Sequence, residues 1–177
     1  MSENTQEKNT NEIVIVAHNA SFHADDVFAV ATILLSLEGK PARVVRTRNP
    51  EEIASADYVV DVGGEYDPAR KRFDHHQKGG AGKRDNSIPY AAFGLVWKHI
   101  GPVVCNNDND LWQKIDTDLV CAIDANDNGF DISKNLIEGV YSPSLSLNFM
   151  IEKPTWEQRG NDDHMYERFM HAVVKAK

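Results

Sequence analysis

Ile13-Val14-Ile15-Val16-Ala17 is five apolar residues in a row, the first four β-branched. Such a run has no polar face. As a strand it must be covered on both sides, the situation of a parallel sheet between helices. A parallel neighbour is reached only through a long crossover, and the sequence supplies one. Val27 to Leu37 is apolar almost all round and reads as a buried helix with Asp25 or Asp26 as N-cap. Gly39 and Lys40-Pro41 end it, and Arg43-Val44-Val45-Arg46 reads as a second strand. Asn49-Pro50-Glu51-Glu52 combines a capping side chain, a proline at the first helical position and acids in the first turn. Tyr58 to Val62 is the third strand, and Gly63-Gly64 allows a sharp exit. This order predicts an α/β fold: a parallel sheet flanked by helices, with right-handed crossovers.

Ligands of such sheets bind beyond the carboxyl ends of the strands. The polar loop His18 to Asp26 follows the first strand and Asp61 lies near the end of the third, so both are expected on one edge of the sheet. Further on, Arg72-Phe73-Asp74 reads as a short strand entering His75-His76, and residues 78–87 as a mobile, glycine-rich basic loop. Tyr90 to Ile100 predicts a helix stopped by Gly101-Pro102, and Asn106 to Asp110 a polar break. Leu111, Ile115, Leu119, Ala122 and Ile123 have the spacing of a one-sided helix, with Gly129 as terminator. Pro143 to Met150 is weakly helical and Pro154 to Asp163 a loop. Asp162 or Asp163 caps a last helix that reaches Lys177.

The 177 residues, 41% of them apolar, suffice for one domain with a hydrophobic core. Residues 1–12 are polar, lack the apolar segment of a signal peptide, and read as a disordered lead-in to a domain over 13–177. No apolar run approaches the roughly 20 residues of a membrane span. Cys105 and Cys121 form no short-spaced pair. A cytoplasmic protein without membrane contact is expected. The net charge of -8 argues against non-specific nucleic-acid binding over the whole surface, but six of the 19 Lys and Arg fall within residues 70–84. An anionic substrate is compatible with that segregation.

Four clusters carry the chemistry. His18, His23 and Asp25 offer imidazole and carboxylate ligands on a loop after a strand. Asp26 beside them is either a helix cap or a member of the catalytic group. Asp61 ends an apolar strand, where a buried carboxylate must coordinate a cation or accept hydrogen bonds from the Gly63-Gly64 turn. In Asp74-His75-His76 one histidine suits a metal, held by an outer carboxylate, and the other a phosphoryl oxygen or general-acid role. Asp124 and Asp127 are three apart at a helix end, as ligand and supporting group or as ordinary turn residues. The pooled set, His and Asp without cysteine, suits two divalent ions about 3.5–4 Å apart in phosphoryl hydrolysis.

At this point the order of motifs resembles the DHH phosphoesterase superfamily. More narrowly, His18-Asn19, Thr47-Arg48-Asn49-Pro50, the run Val60 to Asp67, Phe73-Asp74-His75-His76-Gln77, Asp124 to Gly129 and Pro154-Thr155-Trp156 resemble its Myg1 (UPF0160) branch of metal-dependent hydrolases. The resemblance implies a two-metal phosphodiesterase or exonuclease acting on short RNA or DNA or on small phosphorylated molecules. It implies two Mn²⁺ ions, with Mg²⁺, Zn²⁺ or Fe²⁺ as alternatives. His18, His23, Asp25, Asp61, His75 and Asp124 would be ligands, with Asp61 bridging. Asp74, His76 and Asp26 would serve catalysis, Asp127 would stand behind the ligands, and His76, Asn19, Lys78 and Arg84 would hold phosphate. Relatives carry a C-terminal domain that closes over the substrate, and it is expected to be absent from this sequence. The alternative is a metal-binding interaction module without turnover. A homodimer is one expected assembly.

Overall fold

The computed structural model describes residues 12–132 and 160–177. The lead-in over 1–11, the weak helix 143–150 and the loop from 154 to 159 lie outside the described residues. The sheet has five strands: β1 (Ile13–Ala17), β2 (Ala42–Arg46), β3 (Tyr58–Val60), β4 (Tyr66–Asp67) and β5 (Arg72–Phe73). Their order is β2-β1-β3-β5-β4, parallel except for β4, which runs antiparallel at the edge. The α/β expectation is therefore met. The edge strand β4 was not legible, because two residues are too few to show a period.

The helices are α1 (Ala24–Ser36), α2 (Pro50–Ser55), α3 (Ala92–Val104), α4 (Asn109–Ile115), α5 (Cys121–Asp127) and α6 (Asp162–Ala176). Successive side chains of β1 point to opposite faces. Ile15 and Ala17 join the large core with α1, α3 and α6, while Val16 joins Ala56, Val59 and Val62 in a smaller one with Ile53 of α2. This is why every residue of β1 is apolar: the sheet lies between two helical layers.

Four boundaries differ from expectation. Helix α1 starts earlier, with His23 as N-cap, because Asp26 accepts the His23 N–H at 2.8 Å and closes the first turn from inside. Strand β3 stops at Val60, since Asp61 takes a left-handed φ of 54° and leaves the sheet. Helix α3 runs through Gly101-Pro102 to Val104. The missing Cβ of Gly101 is what permits this: one there would stand 2.7 Å from Trp97 and 2.9 Å from Trp112. The indole N–H groups of these two tryptophans each donate to the other's carbonyl. Tertiary packing outweighs the cost of an interior proline. Asn161, one residue before the expected Asp162, caps α6.

The one-sided helix expected from Leu111 is present, but a π-helical turn over Asp116–Val120 joins α4 to α5. Such a turn shifts the helical face by an extra residue.

Candidate metal centre

The register of the sheet builds the site. Ala17 pairs with Val60, and Val60 pairs with Phe73. The next residue of each strand is His18, Asp61 and Asp74, so three candidate side chains leave three adjacent strands at the same level. Strands lie about 4.8 Å apart, a spacing at which neighbouring side chains can share one cation.

Asp61 is the centre. Its carboxylate lies 3.3 Å from His18 Nε2, 3.4 Å from His75 Nε2 and 3.3 Å from His76 Nδ1. His18 Nε2 is also 3.2 Å from Asp26, and His75 Nε2 is 3.2 Å from Asp127. Among the described residues, three groups have ligand atoms close enough for one ion: His18-His23-Asp61, Asp61-His75-His76 and Asp25-His75-Asp127. Asp26 Oδ2, Asp61 Oδ1 and His75 Nε2 are buried and have no hydrogen-bond partner. Buried polar atoms are normally satisfied. The His and Asp atoms of these groups converge closely enough that the set fits a divalent metal.

Outer contacts orient these ligands. His18 Nδ1 bonds the Asn19 carbonyl at 2.9 Å, which leaves Nε2 facing Asp26 and Asp61. Asp74 accepts the Gly64 N–H at 2.6 Å and the His76 Nδ1–H at 2.8 Å. It thus holds the exposed ring of His76 against the sheet edge. Asp25 accepts the N–H groups of Ala92 and Phe93 at 3.0 and 2.7 Å, and Asp124 accepts that of Gly94 at 3.0 Å. Two buried acids therefore sit at the amino terminus of α3, whose dipole favours negative charge.

Charge is the dominant problem of the site. Burial works to lower the pKa of His18, but Asp26 and Asp61 outweigh it and raise it to about 10. Burial likewise opposes the charge on His75, and Asp127 and Asp61 raise it to about 10. Burial also disfavours the Asp61 anion, yet His18 and His75 hold its carboxyl well below the usual carboxylate range. Asp25 is pushed well up by burial and by neighbouring Asp61, Asp127 and Asp124. The cluster thus holds positive charge, as protons, where a cation would otherwise sit.

Several residues do not take the expected places. Asp127, not Asp124, stands beside His75. Asp124 lies about one turn earlier, where α5 faces α3. It is fully buried and paired with Arg84 at 2.7 Å, and burial pushes it up to about 7 despite that partner. Arg84 pairs with Asp124 and Asp116, at 2.7 and 3.1 Å. The expected mobile loop is tied down, with Arg84 N–H bonding Ile88 O at 2.9 Å and Tyr90 N–H bonding Gly82 O at 3.1 Å. Lys78 is exposed. Asn19 uses its side-chain oxygen to accept Arg48 at 2.7 Å.

Arg46 and Arg48 carry no role legible in the sequence, and Arg72 is legible only as one of the six basic residues over 70–84. Arg46 lies over the contacting rings of Phe22 and Phe169, 5.4 and 4.7 Å from their centres, and donates to the Ala20 carbonyl. It braces the loop that carries His18 and His23. The only signal for Arg48 was its place in the Thr47-Arg48-Asn49-Pro50 string.

The sequence model of the uncharacterised protein family UPF0160, the MYG1 exonuclease family, matches residues 14–177. The chain belongs to the Myg1 family. It is 34% identical over 181 residues to the MYG1 exonucleases of Bos taurus and Homo sapiens, covering 90% of this chain and 47% of each relative. It is 35% identical over 177 residues to a MYG1 protein of Saccharomyces cerevisiae, covering 89% of this chain and 52% of that one. The chain spans about half the length of the curated relatives it matches. No solved structure matches it at a significant level. Among the described residues no helix is long and apolar enough to cross a membrane.

Proposed function

We propose that the chain is a metal-dependent phosphodiesterase of DHH type, acting on short oligonucleotides. The observation that carries this reading is the buried Asp61 carboxylate, shared among three histidines beside partnerless donor atoms. The exonuclease names of the relatives supply the nucleic-acid part. His18, His23 and Asp61 would hold one ion, and Asp25, His75 and Asp127 a second, with Asp61 also 3.4 Å from His75. Carboxylate oxygens have lone pairs to spare, so Asp25 can ligate while still capping α3. When bound, divalent metal supplies Lewis acidity that acidifies water and offsets phosphoryl charge. Mn²⁺ suits this mixed oxygen and imidazole set.

The remaining work falls to His76. Its side chain is 62% exposed and Asp74 fixes its Nδ1. With Nδ1–H held by Asp74, the imidazolium form would carry a proton on Nε2 to give to a phosphoryl or leaving oxygen.

The test is hydrolysis of a short single-stranded RNA and of a generic phosphodiester, with and without Mn²⁺. Mn²⁺-dependent cleavage of the RNA is expected, and loss of it after chelation. Metal binding with no turnover of either substrate would refute the reading.

Metal binding should also expel protons. His18 and His75 remain protonated in the metal-free site up to about pH 10. Each must release a proton to ligate, so apparent affinity falls as pH drops below that value. The expected slope is about tenfold per pH unit per proton released. Calorimetry of Mn²⁺ binding at pH 7.5 in buffers of different ionisation enthalpy measures this directly. A heat independent of buffer would contradict the charge assignment.

A further inference from the structure

A cleft of about 630 Å³ opens beside the carboxylate cluster. Asp61, Asp74 and His76 line it together with Pro50, Ile53 and Ala54 of α2, so it is continuous with the proposed reaction centre. Three arginines, Arg48, Arg70 and Arg72, line it as well. Arg70 is paired with Glu65 at 2.6 Å. The other two are not paired with any acid among the described residues. Arg48 bonds only the carbonyl and amide oxygens of Asn19, both at 2.7 Å. Arg72 is 7% exposed, and its guanidinium bonds only main-chain carbonyls, those of Arg70 at 2.9 Å, Ala56 at 3.0 Å and Ala54 at 3.5 Å. A buried cation without a counter-ion is expensive, and this one borders an open cleft.

Part of the lining is apolar, formed by Pro50, Ile53, Ala54 and Val62. Gly63 lets the turn lie close, since a Cβ there would be 3.3 Å from Ile53. Two unpaired guanidiniums and an apolar wall suit a ligand that joins an anion to a flat apolar group. The volume is within the roughly 300–1,000 Å³ of small-ligand sites and is too small for a duplex.

We propose that this cleft is a nucleotide subsite, holding one nucleoside monophosphate unit of a single-stranded substrate next to the reacting phosphodiester. Its phosphate is drawn by Arg48 and Arg72 and its base lies against Pro50 and Ile53. The proposal rests on the phosphodiesterase reading for its role in turnover, but not for binding. It moves substrate recognition from the 78–84 loop to the cleft lined by Asp61, Arg48 and Arg72.

Two measurements test it separately. The first is calorimetric titration of the metal-free chain with 5′-AMP and with inorganic phosphate. AMP should bind at least tenfold more tightly than phosphate, and Arg48→Ala should weaken AMP about tenfold. No AMP binding, or equal binding of the two, overturns the subsite whatever the hydrolysis results. AMP binding in a chain that hydrolyses nothing supports the subsite and removes the hydrolase reading instead. The second compares kcat/KM of the Mn²⁺-loaded chain for a 5′-phosphorylated dinucleotide and for bis(p-nitrophenyl) phosphate. Arg48→Ala should lower the ratio of the two about 30-fold, mainly through KM of the dinucleotide, and Arg48→Lys should restore part of it. An equal loss on both substrates would mean that Arg48 acts only through Asn19 and His18, and would overturn the proposal.

Discussion

Asp61→Asn is expected to lose Mn²⁺ binding by at least about 100-fold, and hydrolysis by about 10³-fold or more, with the fold retained. The carboxylate is the group common to two of the three ligand clusters and lies within 3.4 Å of three histidines. An amide keeps the shape and removes the charge. Asparagine is also the correct control for the backbone, because residue 61 has a φ of 54°, which Asn tolerates and most residues do not. Asp61→Ala should lose the same functions but also fold less well, for that conformational reason. The loss follows from charge: His18 and His75 would keep their other acidic neighbours, Asp26 and Asp127, but no anion would remain between them. Metal content by mass spectrometry of the native protein, with circular dichroism as the fold control, decides the matter. An Asp61→Asn protein that binds Mn²⁺ and cleaves RNA like the parent would remove Asp61 from the centre.

The second large effect is on stability. Gly94→Ala is expected to destabilise the chain by about 3–5 kcal/mol. A Cβ at this position would stand 1.9 Å from Asp124 Oδ2 and 2.7 Å from its Cγ. The acid has nowhere to go: it is fully buried, accepts the Gly94 N–H at 3.0 Å and meets Arg84 at 2.7 Å. The methyl group must therefore expel it and leave Arg84, itself largely buried, without its closest partner. A chain of this size should then melt roughly 6–20 °C lower. Urea unfolding of the variant gives the number. A change below about 1 kcal/mol would show that α3 and α5 can separate without cost, contrary to the packing described.

Local chemistry accounts for how much of the fold was legible. The all-apolar β1 can only be a covered parallel strand, and Asn49-Pro50 can hardly do other than start a helix, as both do. The boundaries that shifted are those where a distant group intervenes. Pro102 continues α3 because Gly101 lets Trp97 and Trp112 pack closely. Residue composition near a boundary does not reveal such a partner.

The same division runs through the candidate site. His18, Asp61 and the Asp74-His75-His76 string were visible because each follows directly on a recognisable strand, and strand ends in a parallel sheet share one edge. The choice between Asp124 and Asp127 was not visible. It depends on which turn of α5 faces the amino terminus of α3, and the π-helical turn just before α5 alters that phase. The fate of the basic residues was likewise undecided. Arg84 and Arg72 are both cations in the same stretch of chain, but one is paired with Asp124 and the other bonds main-chain carbonyls. The amino-acid order thus specified the kinds of candidate ligand and the strand ends that bear several of them, because strand alternation and helix capping act over a few residues. Which acid meets which base was decided only in the folded chain, because electrostatic pairing acts through space between elements far apart in sequence.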